Sequence, residues 1–194
     1  MRNLDNAAEP FLRPLVTGSF SAMNKRSRRM VAQWATLKML VLEHERGLGK
    51  KFAFPVHSQS DRSDFMNYSQ IPPGIVISVA YGGETEWVDR LMRAVGGRDS
   101  PSQPPGEDFD PSVFAHKIQM TTWGIGRLRL FIASTNDIGH YRSRNWAIPD
   151  TVPLWPADTP DFIWPPLGRP PISDSDMDAI AELLVLGRNS TGPR

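Results

Sequence analysis

Four histidines, His44, His57, His116 and His140, are the only side chains of the chain whose ordinary pKa lies near neutrality, so general acid–base chemistry would fall to them first. No two stand at the i, i+4 spacing that presents paired ligands or a base and its partner from one helix. Glu43 and Glu45 flank His44, but adjacent side chains on a helix point in different directions. Nothing marks a base with its orienting group, and no catalytic residue is assigned. With Cys at 0, thiol nucleophiles, disulfides, iron–sulfur clusters and cysteine-ligated zinc are all excluded within the chain.

Other site patterns also fail. Gly47-Leu48-Gly49-Lys50 lacks the spacing and the Ser/Thr of a phosphate-binding loop, and Gly124-Ile125-Gly126 has no third glycine and no helix after it. They read as a helix end and a hairpin turn. No Gly-x-Ser-x-Gly elbow is present. Asp174-Ser175-Asp176-Met177-Asp178 imitates the opening of a calcium loop, yet Ala179 replaces the glycine and Val185 the bidentate glutamate, so a helix cap is the better reading. No metal site and no cofactor are expected.

The sharpest local feature is Lys25-Arg26-Ser27-Arg28-Arg29, four cations within five residues at the start of a helix. Cations there oppose the helix dipole and cost stability unless an anion neutralises them. Lys25, Arg26, Arg28 and Arg29 are therefore the candidate nucleic-acid-binding residues, exposed as one positive surface against phosphates. The competing reading is a solvated helix end, or pairing with acids of the same chain such as Glu107, Asp108 and Asp110. Charge asymmetry suits both. Residues 1–51 hold ten Lys/Arg against four Asp/Glu, a balance of +6, and residues 52–194 hold twelve against seventeen, a balance of −5.

The elements that would position these groups follow from periodicity. Leu4, Ala7, Ala8, Phe11, Leu12 and Leu15 recur as one helix face, with Pro10 and Pro14 expected to kink or subdivide it. Asn24 caps a second helix carrying Met30, Val31, Trp34, Leu37, Leu40, Val41 and His44, ended by Gly47 and Gly49. Its wide apolar arc places it centrally, with Trp34 buried against a sheet. Ser60 with Asp61 and Asp64 predicts the capped start of a short helix that ends before Ile71-Pro72-Pro73-Gly74.

Ile75 to Tyr81 reads as a buried strand, and Phe114–Trp123 and Leu128–Ala133 as two strands of a hairpin turning at Gly124-Ile125-Gly126. Leu128, Leu130 and Ile132 would face one side, and Arg127, Arg129 and Phe131 the other. Residues 96–111 read as an exposed loop. Residues 149–171 hold eight of the 18 prolines and both Trp155 and Trp164, which predicts an ordered strap packed across the domain. Ser173 caps a last helix with Met177, Ile180, Ala181 and Leu184 inward, and residues 187–194 form a flexible tail.

At 194 residues, 40% hydrophobic and 22% charged, the chain is sized and composed for a single folded domain, here residues 1–186. The fold class is α+β, with helices at both sequence ends packed on a small antiparallel sheet of about three strands. No apolar run reaches the roughly 18 residues of a membrane span, and no signal peptide is visible, so the expected compartment is the cytoplasm with no membrane partner.

Several fragments together resemble a known family. Met1-Arg-Asn-Leu-Asp, Ala8-Glu-Pro, Pro14-Leu-Val, Ala32-Gln-Trp34-Ala35, Lys38 to Glu43, Pro72-Pro73, Thr122 to Gly126 and Trp164-Pro165-Pro166 resemble the C-terminal part of bacterial and phage HNH-endonuclease-like proteins. In that family a zinc-supported HNH module precedes the segment similar to Met1 onward. Its histidine base and zinc cysteines have no counterpart here, so no catalytic residue carries over. The resemblance implies a non-catalytic, nucleic-acid-associated accessory domain whose catalytic module is lost, lies on another chain or was cut off by the choice of start codon. Two alternatives stay open. One is a protein-interaction module of a phage or bacterial complex using Trp87, Trp146 or Trp155 as anchors. The other is an enzyme whose site gathers His57, His116 or His140 in three dimensions.

Overall fold

Asn24 does for the second helix what its position in the sequence predicts. Its Oδ1 accepts the backbone N–H of Ser27 at 3.0 Å and the Ser27 hydroxyl at 2.9 Å, starting α2 (Lys25–Glu45). The structure is a computed structural model that describes residues 2–45, 55–96, 116–137, 148–156 and 160–186. The expected ends of α2 at Gly47 and Gly49, most of the 96–111 loop and the 187–194 tail lie outside the described residues.

Before α2 comes α1 (Arg2–Thr17), which Pro10 and Pro14 do not divide. The carbonyls that lose a partner to these prolines belong to Asn6 and Pro10, which are exposed, so water can replace the missing donor. Gly18 ends the helix at φ 73°, and Ser19 N–H closes back on the Pro14 carbonyl at 3.0 Å. After α2, α3 (Gln59–Tyr68) is capped by Ser58 rather than Ser60. Asp61 bonds back to the Ser58 backbone, which makes the capping box reciprocal.

The main sheet has the order β3-β2-β4, all antiparallel. Its strands are β2 (Ile75–Gly96), β3 (His116–Thr135) and β4 (Val152–Trp155). A two-stranded ribbon pairs β1 (Ser21–Met23) with β5 (Phe162–Trp164). The last helix, α4 (Asp174–Leu186), is capped by Ser173 as expected, with the Asp176 carboxylate on the Ser173 N–H at 2.9 Å. The α+β class therefore stands, and the sequence-terminal helices take opposite faces of the sheet. α1 and α2 cover Ile75, Ile77, Val79, Leu128, Leu130 and Ile132, whereas α4 covers Ala80, Met120, Phe131 and Ala133. The expected division of Leu128, Leu130 and Ile132 from Phe131 holds.

The hairpin at Gly124-Ile125-Gly126 is corrected. β3 runs straight through it as one strand, and β2 continues from Tyr81 to Gly96 opposite it, with register shifts around Thr85. The glycines serve a change of side rather than a reversal of direction. Trp123 and Ile125 at odd positions share one core with Leu128, Leu130 and Ile132 at even positions, so one extra residue must be absorbed between Ile125 and Leu128. Gly126 absorbs it at φ 53°, and its α-carbon lies so close to the Val16 carbonyl that a Cβ would collide with it.

Trp34 is buried as expected and meets Trp123 of β3 edge-to-face at 6.1 Å. Its indole N–H donates to Asp5 Oδ1 of α1 at 3.0 Å, which Lys38 also reaches at 2.7 Å. The hydrogen bond from Lys38 is the main reason the Asp5 carboxyl sits below the usual carboxylate range. Within the expected 149–171 strap, Val152–Trp155 forms β4 and Phe162–Trp164 forms β5, residues 157–159 lie outside the described residues, and Trp164 is wholly buried edge-to-face with Tyr81 at 6.0 Å. Among the described residues no helix is long and apolar enough to cross a membrane.

Candidate functional site

The helical period splits the basic cluster. Lys25, Arg26 and Arg29 are neighbours at i+3 and i+4 and all are exposed. Arg28 falls on the stripe that continues through Val31, Ala32 and Ala35, and it is 1% exposed. Four exposed cations were expected, so Arg28 is a correction. Its Nη2 stands 3.4 Å from Asp161 Oδ1, at the edge of β5. The spacing to Val31 and Ala32 carried this signal; the identity of the acid did not lie in the local sequence. No described acid is in salt-bridge range of Lys25, Arg26 or Arg29. The expected rivals Glu107, Asp108 and Asp110 lie outside the described residues.

Next to these cations the β1–β5 ribbon presents an apolar outer face. Ser21 pairs with Trp164, Ala22 with Ile163, and Met23 with Phe162. Met23 and Trp164 are fully buried and Phe162 packs on the core, so Ala22 and Ile163, one residue out of phase, point outward together. Ile163 is 54% exposed; Phe20, two residues before Ala22, is 77% exposed, and Leu167 beyond β5 is 79% exposed. Periodicity over three residues is too short to flag such a face in the sequence.

Two buried polar clusters belong to the scaffold. The Glu43 carboxylate accepts the backbone N–H groups of Val56 and of His57, the latter at 3.3 Å, and its second oxygen lies 3.4 Å from Arg62 Nη2. It thereby pins the chain entering α3 to the end of α2. His57 is buried beside it. Burial pushes the imidazole pKa down to about 4, with Asp61 opposing and Arg62 adding to the shift. The ring therefore stays neutral at neutral pH, and no carboxylate is hydrogen-bonded to it among the described residues.

On the other side of the sheet Arg129 is buried. Its guanidinium donates to the carbonyls of Gly83 at 2.7 Å, Gly126 at 3.0 Å and Leu128 at 3.2 Å, and it pairs with Asp174 at 3.0 Å. Burial lowers its pKa and Asp174 opposes this. A Cβ on Gly82 would come within 2.7 Å of that guanidinium. Arg129 thus ties the first turn of α4 to the irregular part of the β2–β3 ladder.

How the remaining histidines stand relative to His57 lies outside the described residues. His116 lies in β3, the side chains of His44 and His116 fall outside the described residues, and so does all of His140. Among the described residues no three His, Asp or Glu side chains group as metal ligands. Of the tryptophans proposed as interaction anchors, Trp155 is half-buried on the core, while the Trp87 side chain and Trp146 lie outside the described residues. No protein-family model, no curated protein and no solved structure matches the chain.

Proposed function

We propose that this protein is a non-catalytic nucleic-acid-associated accessory domain, related to bacterial and phage HNH-endonuclease-like proteins and acting in the cytoplasm. The observation that carries the reading is the exposed trio Lys25, Arg26 and Arg29 at the positive end of α2, without a described acid in reach. Placing three cations at that helix terminus is unfavourable by itself, and phosphates reverse the sign of the effect. Backbone contacts of this kind give affinity without base identity. Arg28, buried and facing Asp161, is not among the exposed cations on which this reading rests.

The test is binding of labelled DNA by the full chain over a salt series. Reversing Lys25, Arg26 and Arg29 to Glu should abolish binding, and each lost contact should lower the salt slope by about one unit. Salt-independent binding, or none at all, overturns the reading. The non-catalytic part is tested separately with plasmid and magnesium or manganese. DNA should stay intact, and cleavage that disappears when one of the four histidines is replaced would overturn that part.

A further inference from the structure

Nothing in the trio of cations calls for the bare apolar face beside it. Ala22 and Ile163 face outward as a cross-strand pair of the β1–β5 ribbon, exposed Phe20 immediately precedes β1, and the chain passes from the ribbon straight into α2 through Asn24. From Phe20 to Asn24 is about 13 Å of extended chain, so apolar strip and cations lie within reach of one short ligand. Leu167, three residues beyond β5, is exposed as well, and so is Arg169 two residues on. Among the described residues Asp161 is the acid at this edge, and Arg28 already faces its carboxylate.

Resting on the nucleic-acid reading above, we infer that this surface receives single-stranded nucleic acid, with an unpaired base stacked on Phe20 against Ile163 and the flanking phosphates on Lys25, Arg26 and Arg29. A single strand offers both apolar base faces and regularly spaced negative charge, which is the complement of an apolar strip ending in cations. A duplex hides its base faces within the stack and would leave Phe20, Ile163 and Leu167 in water. A folded protein partner needs roughly 20–30 residues a side for a stable interface, far more than a strip one residue wide on each strand.

The experiment measures fluorescence anisotropy of the full chain with a labelled oligothymidylate of about 15 nucleotides and with a duplex of equal length. The single strand should bind more tightly. Phe20→Ala should weaken single-strand binding about tenfold and duplex binding less than about twofold, and Phe20→Trp should restore it, because stacking acts on unpaired bases alone. Phe20 is exposed, so both variants should keep the circular dichroism of the parent chain. Equal or tighter duplex binding, or no effect of Phe20→Ala, overturns this inference and leaves the phosphate reading standing. Competition by an acidic peptide as strong as by the oligonucleotide overturns it in favour of a protein partner. Loss of all DNA binding removes both.

Discussion

Arg28 and Asp161, 133 residues apart in the chain, meet at 3.4 Å where the start of α2 abuts the edge of β5. The arginine side is buried and the aspartate side is open, so the pair is asymmetric: the buried guanidinium depends on its surroundings far more than the carboxylate does. Among four neighbouring cations this makes one a structural group and leaves three for solvent or ligand.

That division predicts unequal stability effects. Arg28→Ala should cost about 2 kcal/mol in urea unfolding, through the lost packing of a wholly buried side chain rather than a stranded charge, since Asp161 is open to water. Lys25→Ala, Arg26→Ala and Arg29→Ala should each stay within about 0.5 kcal/mol, as exposed substitutions do. Four equal values would contradict the burial of Arg28.

Trp34 joins α2 to β3 through Trp123 and to α1 through Asp5. Trp34→Ala should cost about 3–5 kcal/mol by equilibrium denaturation. Trp34→Phe keeps most of the ring packing and removes the indole donor, so its cost should be nearer 1 kcal/mol. Equal losses in the two variants would show that packing against Trp123 is not the main contribution.

His57 gives the fold a pH dependence of known sign. Its pKa is about 4 in the folded chain against an ordinary value of 6.5, so the unfolded chain takes up the proton first as pH falls. The stabilisation is complete above pH 6.5 and is lost progressively down to pH 4. The total loss is about 3 kcal/mol. His57→Leu should flatten the stability profile within that window, and an unchanged slope would show that other groups titrate there.

Gly126 and Gly83 test the bend in β3. Gly126→Ala places a side chain at positive φ against the Val16 backbone and should lower stability by more than 1 kcal/mol, roughly the conformational cost alone. Gly83 has ordinary φ and nothing within 4 Å of its would-be Cβ, so Gly83→Ala should be nearly neutral. Thermal melts of the two variants check this.

The parts of the fold that were legible in the sequence are those written in local spacing. α1 and α2 showed their apolar faces at three- and four-residue intervals, and Asn24 and Ser173 marked caps that the structure contains. β3 was misread because a glycine pair inside a strand looks the same as a glycine pair at a turn; only the partner strand distinguishes a bend from a reversal. The continuation of β2 past Tyr81 through Gly82-Gly83-Glu84-Thr85-Glu86 is hidden for the same reason, since those residues lack apolar alternation and only Thr85 among them pairs with β3, opposite Gly126. Of the candidate site, the cationic cluster was visible and the apolar strip beside it was not, because Ala22 and Ile163 are neighbours only across the ribbon.

The β1–β5 pairing also orders events in time. Ser21 waits for Trp164, so the ribbon closes a loop spanning most of the chain, and such a closure has a high entropic cost until the elements between are in place. During synthesis the β2–β3 ladder can assemble while the strap is still in the ribosome, but the strip of Phe20, Ala22 and Ile163 cannot. A nascent or prematurely terminated chain lacking β5 carries the three cations and Phe20 without Ile163 beside them. The complete surface therefore belongs only to chains that extend past β5, and in hydrogen exchange the amides of Ser21–Met23 should be the first of the paired ones to open.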